Sequence, residues 1–241
     1  MKLNFEGTSI YYKIVGKGKP ILLLHGWQSS SESFSILVQQ LKSCYKLILV
    51  DFPPFGKSGK LLYSWDLSTY TNMIIQLLNH LKLQNFYILA HSFGGRVAIN
   101  LCNCYNINVE KLILTGSAGL KPKPSFLNYL KIKKYKWLKK KNKFEKLARY
   151  GSNDFKALDN LMRKSFVKIV NTHQDNFVKK IKVPTLIIYG KNDKETPVYM
   201  AKKFNKLIKN SKLCLLKDSG HFCFVQKPEA FYDLIIHFLT D

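Results

Sequence analysis

Ala90-His91-Ser92-Phe93-Gly94-Gly95 is the stretch on which the fold turns. It follows the unbroken apolar run Phe86-Tyr87-Ile88-Leu89-Ala90 and precedes a helical pattern beginning near Arg96. A strand that passes into a helix over so few residues puts Ser92 on a sharp bend. Small neighbours are then needed, because the backbone passes close to the adjacent strand and helix. Ala90 and Gly94 meet that need. The bend lifts the serine hydroxyl out at the sheet's edge, and the N-terminus of the helix behind it favours negative charge developing there. A small-x-Ser-x-Gly pattern alone is weak evidence; between a buried strand and a helix, it marks Ser92 as a candidate nucleophile.

Working outward, the same alternation recurs. Short β-branched or apolar runs at Ile10–Ile14, Ile21–Leu24, Leu47–Val50, Leu112–Leu114, Thr185–Tyr189 and Leu213–Leu216 read as strands. Several are continuous rather than alternating, as expected of parallel strands covered on both faces. Helical patterns lie between them at Ser33–Leu41, Ser68–Leu81, Arg96–Cys102, Val198–Leu207 and Pro228–Leu239. Strand–helix alternation of this kind predicts an α/β fold with a mostly parallel, doubly wound sheet.

One stretch breaks the rhythm. Residues 121–182 show no strand signal and carry 17 Lys and two Arg against four acids. An insertion this long between two strands exceeds a plain loop. The expected division is therefore a core of residues 1–120 and 183–241 with a helical cap over 121–182. Phe126, Tyr129, Trp137, Phe144, Tyr150 and Phe166 would line an apolar pocket or form the buried faces of the cap helices. In the lysine-dense run 131–141, Ile132, Tyr135 and Leu138 recur at helical spacing, so one face can pack while the lysines stay solvated.

The remaining candidates close the ends of other strands. His25-Gly26-Trp27 follows Ile21–Leu24, where a loop can aim a backbone N–H at an oxyanion; Trp27 and Phe93 are the expected donors. Asp193 follows Thr185–Tyr189, and His221 follows the strand ending near Leu216. Groups at the C-terminal ends of strands in an open α/β sheet gather at one place. Ser92, His221 and Asp193 thus predict a nucleophile, a base whose ordinary pKa suits the task, and an acid that holds the base's tautomer. Glu195 and Asp218 stand close enough in sequence to compete with Asp193 for the last role. His91 adjoins Ser92 but points away on such a turn, which suggests a structural part.

Composition bounds the alternatives. The 241 residues are 46% hydrophobic, enough for one sizeable domain. The formal charge of +24 invites a nucleic-acid or anionic-membrane partner. Yet Arg96, Arg149 and Arg163 are the only arginines, whereas nucleic-acid sites favour arginine forks, so no nucleic-acid partner is expected. Neither a membrane-length apolar run nor a leader-like apolar segment is present, and a cytoplasmic location is the default expectation. The five cysteines lack paired spacing and mostly lie in apolar runs, which predicts buried free thiols.

The chain resembles the α/β-hydrolase superfamily, in the branch of small bacterial serine esterases and carbon–carbon-bond hydrolases with a helical cap. The resemblance spans nearly the full length. It rests on Leu23-Leu24-His25-Gly26-Trp27, on residues 51–58 (Asp51-Phe52-Pro53-Pro54-Phe55-Gly56-Lys57-Ser58), on His91-Ser92-Phe93-Gly94-Gly95, on Pro184 through Asp193, and on Gly220-His221-Phe222. Ala90 stands where that family usually has glycine, and Pro54 replaces a glycine in the loop after Asp51. The resemblance implies acyl transfer through Ser92 on a small-molecule acyl substrate, with an anionic substrate among the options. It requires no cofactor and no metal. Carbon–carbon cleavage of a vinylogous diketone, assisted by Arg149 or Arg163, thioester hydrolysis and a non-catalytic binding protein are the alternatives it leaves.

Overall fold

A computed structural model describes residues 1–104, 106–123, 133 and 158–241. Among the described residues, eight strands form one sheet: β1 (Lys2–Phe5), β2 (Thr8–Val15), β3 (Lys19–Leu24), β4 (Tyr45–Val50), β5 (Phe86–His91), β6 (Val109–Thr115), β7 (Thr185–Gly190) and β8 (Ser211–Leu216). Their order across the sheet is β1-β2-β4-β3-β5-β6-β7-β8. The first two pairings, β1 with β2 and β2 with β4, are antiparallel. Every pairing from β4 through β8 is parallel. The chain passes from β3 outward to β4, then returns to lay β5 on the other side of β3. That reversal opens a crevice at the C-terminal ends of β3 and β5, where open α/β sheets bind ligands.

The unbroken apolar runs become strands buried on both faces. Leu22, Leu24, Ile88, Ala90, Leu112 and Leu114 pack against α2 (Leu67–His80) and α3 (Phe93–Leu101). The alternate residues Ile21, Leu23, Leu89, Ile113 and Ile188 face α1 (Ser35–Leu41) and, near the C-terminus, Pro228–Thr240. Each fully buried Leu or Ile here contributes about 1.5–3 kcal/mol, so the two apolar layers hold the strand ends in register. Asp66 caps α2 by accepting from the Thr69 amide at 2.9 Å, which satisfies one of the unpaired amides of a helix start.

Among the described residues the remaining α-helices are α4 (Asn160–Asn171), α5 (Asp175–Val178), α6 (Val198–Leu207), α7 (Cys223–Gln226) and α8 (Pro228–Thr240). The strands other than β1, together with α1, α2, α3, α6 and α8, match the expected alternation, α4 falls in the expected helical cap, and β1, α5 and α7 are additions. The edge strand β1 pairs with β2 through Glu6 and Gly7, both at positive φ (47° and 80°). Its half-polar sequence Lys2-Leu3-Asn4-Phe5 carries little strand signal. The short helices α5 and α7 are single turns without a periodic stripe. The thiols are free, but only Cys223 is buried and Cys44 is exposed, which corrects the expectation of buried cysteines. Cys44 falls at a polar helix-to-strand turn, not inside β4.

Within the expected cap, α4 and α5 are described. Phe126, Tyr129, Trp137, Phe144, Arg149, Tyr150 and the 131–141 run other than Lys133 lie outside the described residues. No helix among the described residues is long and apolar enough to cross a membrane.

Candidate active site

The bend after β5 is as tight as the sequence requires. Ser92 sits at φ 51°, ψ −110°, a strained conformation for a side-chain-bearing residue. Neighbouring hydrogen bonds hold it there: the Ser92 amide donates to Thr115 O, while the Gly95 and Ala118 amides donate to Ser92 O. A Cβ on Gly94 would fall 2.2 Å from the Leu24 carbonyl oxygen. Only glycine lets α3 start this close to β3, and the Gly94 amide donates to His25 O at 3.0 Å. Strain at Ser92 is thus fixed by backbone contacts to β3 and to the loop after β6.

The loop after β3 lies directly opposite. His25 is buried, accepts the Phe52 amide on Nε2 at 2.8 Å and contacts Gly26 O through Nδ1 at 2.7 Å. Those two contacts define its tautomer, with the proton on Nδ1. Burial pushes this imidazole down to about 4, outweighing the Gly26 carbonyl and the Asp51 carboxylate, which act the other way. His25 is therefore a neutral pin between the β3 loop and the loop after β4. Asp51 secures that second loop by accepting the Ser31 and Lys57 amides at 2.7 and 2.8 Å. The Pro53–Pro54 bond is cis, and the Tyr70 hydroxyl donates to Pro53 O. Gly26 leaves its backbone against Ser92, since a Cβ there would lie 3.3 Å from the Ser92 Cβ. Trp27 stacks edge-on against Phe93 and Phe55, with centroids 5.4 and 5.0 Å away.

The acid and base meet at the far side. Asp193 Oδ2 lies 2.9 Å from His221 Nδ1. Its carboxylate also accepts the Glu195 and Thr196 amides and the Thr196 hydroxyl. Burial alone would raise the Asp193 pKa; the hydrogen bonds from His221 and Thr196 outweigh it and leave the group below its ordinary 3.8. Gly190 makes this approach feasible. A Cβ there would come within 2.3 Å of the Ser219 and Gly220 carbonyl oxygens, immediately before His221.

The two rivals for the acid role lie elsewhere around the ring. Asp218 turns through φ 50° and forms no hydrogen bond or ion pair with His221 among the described residues. Glu195 does reach the ring, but on the other nitrogen: its Oε2 is 3.2 Å from His221 Nε2. Sequence spacing flagged Glu195 as a neighbour of Asp193; which ring nitrogen each would meet depends on side-chain directions in the loop after β7. His91 has a structural place, its Nε2 lying 3.1 Å from the His221 backbone carbonyl and its ring 4.6 Å from that of His221. Burial and the neighbouring His221 push it down to about 3, so it stays neutral and donates from Nε2.

Ser92, His221, Trp27 and Phe93 all line one cavity of about 210 Å³. Among the described residues Glu195 is the acid in that lining and Arg96 the cation. Arg96 is buried and donates through one terminal nitrogen to Ile169 O and Thr172 O, at the end of α4. Phe166 from α4 closes the cavity over Trp27 at 5.6 Å. Arg163, weighed above as a carboxylate binder, is not in the lining. A strained serine, a carboxylate-bound histidine and a glycine-lined loop at the sheet's switch point are the parts of a hydrolytic site.

The chain belongs to the alpha/beta hydrolase fold family, whose pattern matches residues 19–147 and 131–228. It is an enzyme, a hydrolase of that fold. Among its relatives is the 2-hydroxy-6-oxo-6-(2'-aminophenyl)hexa-2,4-dienoic acid hydrolase of Metapseudomonas resinovorans, 28% identical over 99% of this chain and 90% of the relative. A proline iminopeptidase of Lactobacillus crispatus is 26% identical over 97% of this chain and 95% of its own. An esterase from Exiguobacterium antarcticum superposes with a TM-score of 0.78 at 26% identity, over 98% of this chain and 97% of that one.

Proposed function

We propose that this chain is a serine hydrolase that cleaves a carboxylic ester or related acyl bond of a small molecule through an acyl-enzyme. Ser92 is the nucleophile, His221 the general base and Asp193 the residue that orients it. The observation that carries the reading is the Asp193–His221 bond at 2.9 Å, which leaves Nε2 of the ring on the side of the cavity that Ser92 lines. Proton transfer from Ser92 to Nε2 generates the attacking oxygen. Asp193, already charged, stabilises the imidazolium that results. The developing oxyanion is met by the backbone amides of Trp27 and Phe93, of the kind whose loss costs about 10²–10³ in rate. His221 then protonates the leaving group and activates water to release the acid. Phe166 and Ile169 of α4, within the proposed cap of residues 121–182, reach the cavity.

The test is covalent labelling by a fluorophosphonate together with hydrolysis of p-nitrophenyl esters of graded chain length. Ser92→Ala is expected to abolish labelling and lower kcat by roughly 10⁴–10⁶-fold. Labelling that survives in Ser92→Ala moves the nucleophile elsewhere. The Metapseudomonas relative supports a second reading, carbon–carbon cleavage of a vinylogous diketone. A chain that turns over such a diketone far faster than any p-nitrophenyl ester follows that reading instead.

A further inference from the structure

α4 forms one wall of the cavity, and a buried cation fastens its C-terminal end. Phe166, Ile169 and Val170 of that helix line the space beside Ser92. Their spacing places them on one helix face. Arg96 reaches the end of α4 from α3, its Nη1 donating to Ile169 O at 3.0 Å and to Thr172 O at 2.7 Å. Arg96 is 8% exposed and forms no ion pair among the described residues. Burial alone lowers it, to about 10, so it stays charged. A buried charge without a partner is costly. Here the carbonyls at the negative end of the α4 dipole offset that cost, so the cation and the helix end hold each other.

We propose that Arg96 is a positioning residue that sets which acyl groups this site accepts, holding the end of α4 so that Phe166, Ile169 and Val170 leave room for a short acyl chain. This rests on the serine-hydrolase reading above. The cavity of about 210 Å³ is smaller than the roughly 300–1,000 Å³ typical of ligand pockets. Other ties on α4 lie upstream of Ile169: Ser165 Oγ accepts the Trp65 amide at 2.9 Å, and the exposed Lys168 ammonium bonds to Ser64. Loss of the Arg96 bonds would therefore free the end that carries Ile169 and Val170, and that part of the wall could recede.

The same helix end is joined to the nucleophile. Arg96 follows Ser92 closely in α3, the helix that the serine bend starts. Buried Gln174, just past α4, donates from Nε2 to Arg96 O and to Asn100 Oδ1, both at 2.8 Å. The Gln174 amide donates to Gly119 O, beside Ala118, whose own amide donates to Ser92 O. Among these ties the Arg96 side chain is the one that carries a full charge. Charge-assisted hydrogen bonds are roughly twice as strong as neutral ones, so losing Arg96 should loosen the end of α4 more than losing one of its neutral bonds.

The experiment compares kcat/KM for p-nitrophenyl butyrate and octanoate in wild type, Arg96→Met and Arg96→Lys, with fluorophosphonate labelling of each. Wild type is expected to favour the butyrate. Arg96→Met keeps an unbranched side chain without the charge or the donors. Its octanoate-to-butyrate ratio should rise at least about fourfold, the worth of one methylene that gains room. Arg96→Lys, a cation without the guanidinium fork, should give a smaller rise. If Arg96→Met does not fold, Arg96→Lys decides: a ratio above wild type supports the role, and an equal one overturns it. A ratio unchanged or lowered in labelled Arg96→Met, even if both esters lose rate together, overturns the role and leaves the serine reading standing. So does a wild type that prefers the octanoate. A rate loss confined to a carboxylate-bearing ester, with the ratio unchanged, also overturns it and makes Arg96 a direct contact to an anion. Absence of labelling and of ester turnover in wild type overturns both readings.

Discussion

Lowering the pH from about 7 to about 5 is expected to cost this protein roughly 4 kcal/mol of folding stability through two buried histidines. His25 and His91 are 0% and 1% exposed, and burial depresses both, to about 4 and about 3 from an ordinary 6.5. The folded state thus binds fewer protons than the unfolded chain. A depressed histidine contributes its stability in full above pH 6.5 and loses it as pH falls toward the folded value. At about pH 5 the unfolded imidazoles are largely charged while the folded ones stay neutral, a loss of about 2 kcal/mol each. Asp193, Asp66 and Asp175 are lowered carboxylates; their loss comes at more acid pH, below their ordinary 3.8, and does not mask this window. Against a typical total of about 5–15 kcal/mol, the effect is large enough for urea unfolding at several pH values. His91→Asn should be less stable at neutral pH, yet lose only about half as much on acidification. A wild-type stability that is flat between these pH values, or a His91→Asn slope equal to that of wild type, refutes the assignment of two neutral buried rings.

Two further outcomes follow from the site. Asp193→Asn should keep the fold but lower kcat by about 10⁴-fold, because an amide at this place favours the wrong imidazole tautomer; near-normal turnover in that variant with a dead Asp218→Asn would transfer the acid role to Asp218. Gly94→Ala should destabilise the protein by about 1–3 kcal/mol, since its Cβ meets the Leu24 backbone rather than a side chain that can rotate. Thermal unfolding of that variant within a degree of wild type would mean that α3 can shift away from β3 without cost.

The parts of this protein that could be read from sequence are those fixed by burial on two faces or by a backbone constraint. Ile21–Leu24, Phe86–Ala90 and Thr185–Tyr189 announce central strands because nothing polar interrupts them, and each is a strand of the parallel sheet. Ser92 was legible because a sharp turn demands small neighbours, and Gly94 contacts the Leu24 backbone as that demand implies. Edge strand β1 escaped because one side of it faces solvent and its residues alternate with polar ones. Glu195 was legible only as a neighbour of Asp193. Two acids two residues apart can serve opposite edges of one ring, and spacing alone does not separate those edges. The part of His91 beneath His221 was equally hidden, since it rests on a contact across 130 positions of sequence.

A chain with 39 basic residues against 15 acids places the proposed mechanism in an unusual field. A net positive surroundings favours the oxyanion at Ser92 but opposes the imidazolium that must form beside it. Exposed charges farther than about 8 Å from the site are screened at physiological ionic strength. What remains is local. Arg96 supplies one nearby positive charge from α3, and Asp193 and Glu195 supply two negative ones from the loop after β7. Asp193 thus stands where the base needs it, within hydrogen-bond distance of Nδ1, while most of the excess lysine is concentrated in residues 121–182. On this reading Asp193 supports the imidazolium that forms during turnover.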